Sequence, residues 1–247
     1  MVKKISIISI LFCFSFGIHP QLIDQYENGI DAYNNGNYQL AIQEFEDILK
    51  HDWESPELYY NLGNAYYRQK LVSGSIWAYE KCLALFPSHK DALYNLSLAN
   101  LNVIDKIDLP ELPIYLKWYE TIRNYFSLQD WIKLFVMSLF LFMLLITIRK
   151  IFFQNWLKSI ENILIIELIL ITLLSGHTFI ELNSNSEGII YSHTVIAYSE
   201  PNEYSSKIVE VHEGLKVNIL DLNDDWVNLE LIDGTIGWIL KSQIREL

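Results

Sequence analysis

Small and aromatic residues in the first hundred positions recur at a spacing of 34. Gly29, Gly63 and Ser97 occupy one equivalent position, Ala41 and Ser75 a second, Phe45 and Tyr79 a third, and Ala65 and Ala99 a fourth; Pro87 closes the second unit. A fixed period of this kind constrains the fold more than any other feature of the chain. Each unit is a pair of helices that cannot bury its own apolar face, so neighbouring units have to stack. A small residue in each helix lets the pair approach closely, and the large residues at 45 and 79 fill the joint. The period predicts units over 22–55, 56–89 and a partial one over 90–109. The last is reduced to its first helix, because Pro110 and Pro113 forbid a regular continuation.

This spacing resembles the tetratricopeptide repeat. The resemblance implies that the first helix of each unit lines a concave protein-binding groove. Its groove positions here hold Tyr26, Tyr60 and Tyr94 at one level, Tyr33 and Tyr67 at another, and Asn64 between them. Tyrosine offers contact area, a polar tip and little rotamer entropy to lose, so it suits recognition. The same rings could instead pack between adjacent repeats. Only Asn64 matches the family's carboxylate clamp, and no lysines join it.

A hydrophobic content of 51% alongside a net charge of −12 places part of the chain in lipid and excludes a nucleic-acid partner, which would need basic patches. Lys3 and Lys4, the apolar run from Ile5 to Phe16, and Ser15 and Gly17 form a signal peptide over 1–17, cut after Gly17 or kept as an anchor. Further on, 112–127 reads as an amphipathic helix, with Ile114, Trp118, Ile122 and Tyr125 on one stripe. Such a helix lies on a membrane surface or ends the repeats. Apolar runs over 131–148 and 160–180 predict two transmembrane helices. The linker between them carries Arg149, Lys150 and Lys158, which places it in the cytoplasm and both flanking domains outside. Glu167 lies inside the second span, with either a structural or partner-contacting role or one in proton transfer. Cys82 reads as a small buried hydrophobe.

From Gly188 the rhythm changes to period two, with turn signals at Asn223-Asp224-Asp225 and Asp233-Gly234. Pro201, Gly214, Trp226 followed by Val227 and Leu229, Asp233-Gly234 and Gly237-Trp238 resemble a bacterial SH3-type domain. That resemblance implies a small β-barrel over 188–247 that binds peptides or cell-wall polymers. Trp226 is expected in the core, and Tyr198 and Trp238 on the surface. Ten acidic against four basic residues argue against a polyanionic ligand for this segment.

No phosphate-binding glycine loop, nucleophile elbow or metal-ligand spacing among His19, His51, His89, His177, His193 and His212 is present, so no enzyme, cofactor or metal is expected. The chain reads as multi-domain α + β: a helical repeat array, a transmembrane hairpin and an SH3-like barrel. That order resembles the BatE proteins of the Bacteroides aerotolerance system. The resemblance implies a non-enzymatic scaffold in a bacterial inner membrane, with its domains in the periplasm. Its partners would be membrane-anchored von Willebrand A-domain proteins, and its context aerotolerance or envelope stress. The alternative is a protein that binds or senses peptidoglycan through the SH3-like domain.

Overall fold

The computed structural model describes residues 20–105, 113–123, 125–152, 157–184 and 186–247. The segment read as a signal peptide lies outside the described residues, as do parts of the stretches joining the repeats to the long apolar helices and those helices to each other.

Five helices build the N-terminal part: α1 (Pro20–Asn34), α2 (Tyr38–Leu49), α3 (Pro56–Arg68), α4 (Val72–Leu85) and α5 (Lys90–Asn100). Their starts are set by local chemistry. Asn37 accepts a hydrogen bond from the Leu40 amide at the head of α2. Ser55 does the same for Leu58 with Pro56 in the first turn of α3, and the His89 ring nitrogen receives the Ala92 amide at α5. Gly36 turns α1 into α2 at φ +77°. α1 pairs with α2 and α3 with α4, and the two joints are alike. A Cβ on Gly29 would lie 2.5 Å from the Phe45 ring, and one on Gly63 would lie 2.6 Å from the Tyr79 ring. Glycine is therefore what lets a fully buried aromatic residue from the second helix lie flat on the first. α5 stands alone as the first helix of the incomplete third unit.

α6 (Ile114–Arg123) leads into α7 (Leu128–Phe152) and α8 (Leu157–Ser184), which pack side by side. Leu128–Ile151 and Leu157–Ile180 are long and apolar enough to cross a membrane, with mean hydropathies of 2.4 and 2.2. At 1.5 Å per residue each is roughly 36 Å long, enough for the hydrocarbon core with some tilt. Arg149 Nε lies 2.6 Å from Glu161 Oε1 near the turn of this hairpin, a charge contact without hydrogen-bond alignment. At the opposite end, the Tyr119 hydroxyl is 2.8 Å from His177 Nδ1, and the Trp131 indole donates to the Arg123 carbonyl at 3.3 Å. These contacts fasten α6 to α7 and α8. Ile114, Tyr115 and Trp118 face outward, each about 70% exposed.

The C-terminal part is one seven-stranded antiparallel sheet: β1 (Ser186–Ile190), β2 (Thr194–Tyr198), β3 (Lys207–His212), β4 (Lys216–Asn223), β5 (Trp226–Glu230), β6 (Ile236–Leu240) and β7 (Ile244–Glu246). The order is β3-β2-β6-β5-β4-β1-β7, so β3 and β7 are edges and hydrogen bonding does not close the sheet into the expected barrel. Alternate residues fill its core, among them Val195, Ala197, Val211, Val217, Val227, Leu229 and Ile239. Asp224 at φ +50° and Gly234 at φ +85° make the turns read from the sequence.

The sheet is docked on the repeats. Ile189 of β1 is fully buried within the repeat core, and Leu247 packs against that core. The Trp77 indole donates to the Glu246 carbonyl at 2.8 Å. The Arg245 guanidinium lies 3.4 Å over the Trp77 ring centroid while its Nη1 donates to Glu46 at 2.9 Å. Lys216 Nζ bridges Glu80 (3.1 Å) and Glu187 (2.8 Å), and His212 Nδ1 sits 2.9 Å from Asp105. Because the hairpin separates the two docked parts in sequence, their contact requires both to lie on the same side of any membrane it crosses. An even number of spans satisfies that requirement.

Candidate functional site

The docked sheet uses residues of α2, α3 and α4: Glu46, Tyr66, Trp77 and Glu80. The tyrosines singled out from the sequence lie on other faces of α1, α3 and α5. Tyr60, Asn64 and Tyr67 share one face of α3 at spacings of four and three, and Tyr26 and Tyr33 share one face of α1, seven apart. Tyr67 and Tyr94 are exposed, Tyr94 by 65%, whereas Tyr26, Tyr33 and Tyr60 are half-buried.

The half-buried rings are partly committed. The Tyr26 hydroxyl accepts from Asn61 Nδ2 at 2.7 Å, and its ring leans on Phe45 and Trp53. Tyr33 meets Tyr38 edge-on at 5.3 Å. Tyr60 lies 4.8 Å from the His89 ring and 6.3 Å from Tyr79. Asn64 Oδ1 accepts two hydrogen bonds at 2.8 Å, from the Tyr79 hydroxyl and from Asn95 Nδ2. Asn64 thus ties α3 to α4 and α5, and its carbonyl is spent on the scaffold. Tyr26, Tyr33, Tyr60 and Asn64 thus pack between helices, while the Tyr67 and Tyr94 rings are left exposed. Burial pushes the Tyr26, Tyr33 and Tyr79 phenols up from their usual range, so they stay neutral donors at physiological pH.

Spacing alone missed three groups here. Tyr79, whose ring fills the joint, reaches Asn64 of α3 with its hydroxyl. Asn95 comes from the neighbouring unit. Arg68 lies 4.9 Å over the Tyr38 ring and donates to its hydroxyl, placing one cation at the end of the tyrosine row. A polar residue one position after each tyrosine (Asn61 after Tyr60, Asn95 after Tyr94) was the available signal.

A second aromatic face lies on the sheet. Tyr198 of β2 pairs with Trp238 of β6, which pairs with Asn228 of β5. These residues point to the side opposite the core, as their alternation with buried Ala197, Ile239, Val227 and Leu229 requires. Trp226 belongs to the same side: it is half-buried and meets Tyr198 edge-on at 5.9 Å. Its expected place in the core goes instead to Val227, because the pleat sends 226 and 228 outward together. Tyr198, Trp226 and Trp238 form an aromatic strip across three strands. Glu167, the remaining singled-out residue, is exposed on the flank of α8.

Comparison with known families fits this geometry. Residues 26–81 match the tetratricopeptide repeat model, and residues 192–246 match the bacterial SH3 domain model. No curated protein matches the chain. The chain therefore carries tetratricopeptide repeats and a bacterial SH3 domain. Modules of these two kinds serve protein–protein interaction and peptidoglycan binding, and neither is typically catalytic.

Proposed function

We propose that this protein is a non-enzymatic, membrane-held scaffold that grips a protein partner in the tyrosine-lined groove of its repeats. One observation carries the reading: the SH3-like sheet takes up Glu46, Tyr66, Trp77 and Glu80, while Tyr67 and Tyr94 stay exposed with the half-buried Tyr60 beside them. The sheet acts as the cap that a two-and-a-half-repeat array needs. The docked head is one preformed body, so a partner meets a groove whose ordering cost is already met. The hairpin would hold this body at a bacterial inner membrane. The basic linker favours a cytoplasmic turn and a periplasmic head. The resemblance to BatE proteins favours a von Willebrand A-domain partner in an aerotolerance or envelope-stress complex.

A photo-crosslinking residue at Tyr60 or Tyr94 in intact cells tests this. A discrete protein adduct supports it and names the partner. Tyr60→Ala with Tyr94→Ala should abolish that partner's co-purification while the head stays folded. Unchanged co-purification would refute it.

The half-buried aromatic strip of Tyr198, Trp226 and Trp238 on the face opposite the core favours a second reading, peptidoglycan binding. Co-sedimentation of the detergent-solubilised full chain with purified wall should then fall on Trp238→Ala. The full chain is the right probe, since removing the repeats would uncover Ile189 and Leu247. Absence of co-sedimentation would end this version.

A further inference from the structure

Glu167 sits near the middle of the Leu157–Ile180 span, and its side chain is exposed. Among the described residues it has no hydrogen-bond or ion-pair partner. The hydroxyls that could have reached it do not: Thr147 donates to the Met143 carbonyl at 2.9 Å, and Ser138 Oγ is buried without bonding it. An ionisable group at this depth with nothing to bond among the described residues is expensive in lipid. Something outside the hairpin has to satisfy it.

α8 carries two stripes. Leu157, Glu161, Leu164 and Ile171 are buried, and this stripe faces α7. The other consists of Ile160, Ile163, Glu167, Leu170 and Leu174, spaced three, four, three and four. Ile163 is 64% exposed and Leu170 54%. This is the seam spacing of paired helices, with one polar position among apolar ones.

We propose that this open seam is where a second copy of the chain docks, α8 against α8 in parallel. Two copies inserted the same way round, related by a twofold axis along the membrane normal, place each seam residue opposite itself at the same depth. The two Glu167 carboxyls then meet. A carboxyl pair sharing a proton is self-complementary, donor to acceptor, so neither group is left to lipid. An apolar partner helix would leave the carboxyl unpaired, and a lipid-facing seam would leave it in hydrocarbon. The single polar position also fixes register, since sliding by one turn would set it against leucine or isoleucine.

The test is oxidative cross-linking in membranes from cells expressing two differently tagged full-length copies, with Cys13→Ser and Cys82→Ala as background. Leu170→Cys on the seam is expected to join the two tags. Ile169→Cys, equally exposed on another flank, is expected to do so at least about tenfold less. On the Leu170→Cys background, Glu167→Gln should keep the cross-link. Glu167→Leu should weaken it roughly three- to thirty-fold, the range one interhelical hydrogen-bonded pair supplies in a membrane. Equal yields at 170 and 169, an adduct to a different protein, or no effect of Glu167→Leu would each overturn the proposal.

Discussion

Replacing Arg245 by alanine is the perturbation that most directly tests the docked head. The guanidinium lies 3.4 Å over Trp77, and its side chain is 29% exposed. Burial opposes its charge, but Glu46 and Tyr66 outweigh that and hold its pKa above the usual arginine value. A stacked, desolvated cation over tryptophan is worth about 2 kcal/mol. A charge-assisted hydrogen bond such as that to Glu46 is worth about 1.5–3 kcal/mol. The two share one side chain and are not additive. Glu46 also keeps the Tyr66 hydroxyl as a donor, so it is not stranded. The expected loss for Arg245→Ala is therefore about 2–4 kcal/mol, and for Arg245→Lys, which keeps charge but not the stacked plane, about 1–2 kcal/mol. The assay is chemical unfolding of the full chain in detergent micelles, followed by tryptophan fluorescence. A double-mutant cycle with Glu46→Gln should return a coupling of at least about 0.5 kcal/mol. If Arg245→Ala moved the midpoint no more than the exposed Lys207→Ala, within about 0.5 kcal/mol, the docking argument would be wrong.

Gly63→Ala should cost about 1–3 kcal/mol by forcing the Tyr79 ring out of place, and Tyr79→Leu in the same chain should recover part of it; additive losses would deny the contact. Gly214 and Gly234 have nearly equal φ, +86° and +85°, but a Cβ at 214 would press on Ile76 and Val103 at 3.0 Å while one at 234 meets nothing. Gly214→Ala should thus exceed Gly234→Ala in unfolding experiments, and equal losses would leave only the backbone strain of about 1–3 kcal/mol common to both. Burial pushes the Cys82 thiol up to about 12, so in the folded protein it should resist thiol reagents at pH 8. Since an unfolded thiol titrates near about 8.5, the neutral thiol's contribution is fully present below that pH and is lost as pH climbs towards 12. Cys82→Ala should flatten that alkaline decline, and rapid native labelling would contradict the burial.

The sequence was most legible where one local period dictates structure. Gly29, Gly63, Phe45 and Tyr79 announced the helix joints because a small residue facing a ring is a contact between adjacent elements. The two long apolar helices were legible because an unbroken apolar run of this length has few other readings. Trp226 was misplaced because a strand's inward phase depends on its register with neighbours, and a single tryptophan does not reveal it. The Tyr79 bond to Asn64 was missed because its ring and its hydroxyl do different work.

What the amino-acid order determined by itself was therefore the set of parts: paired helices, an apolar hairpin, an alternating sheet and a row of tyrosines. Only the tertiary structure decided how the parts combine. Arg245 meets Glu46 across 199 residues and His212 meets Asp105 across 107, with the apolar hairpin between the partners in each case. Contacts so distant have no period to betray them. They form only when both folded surfaces already exist, and they settle which faces are spent on docking and which are left for partners.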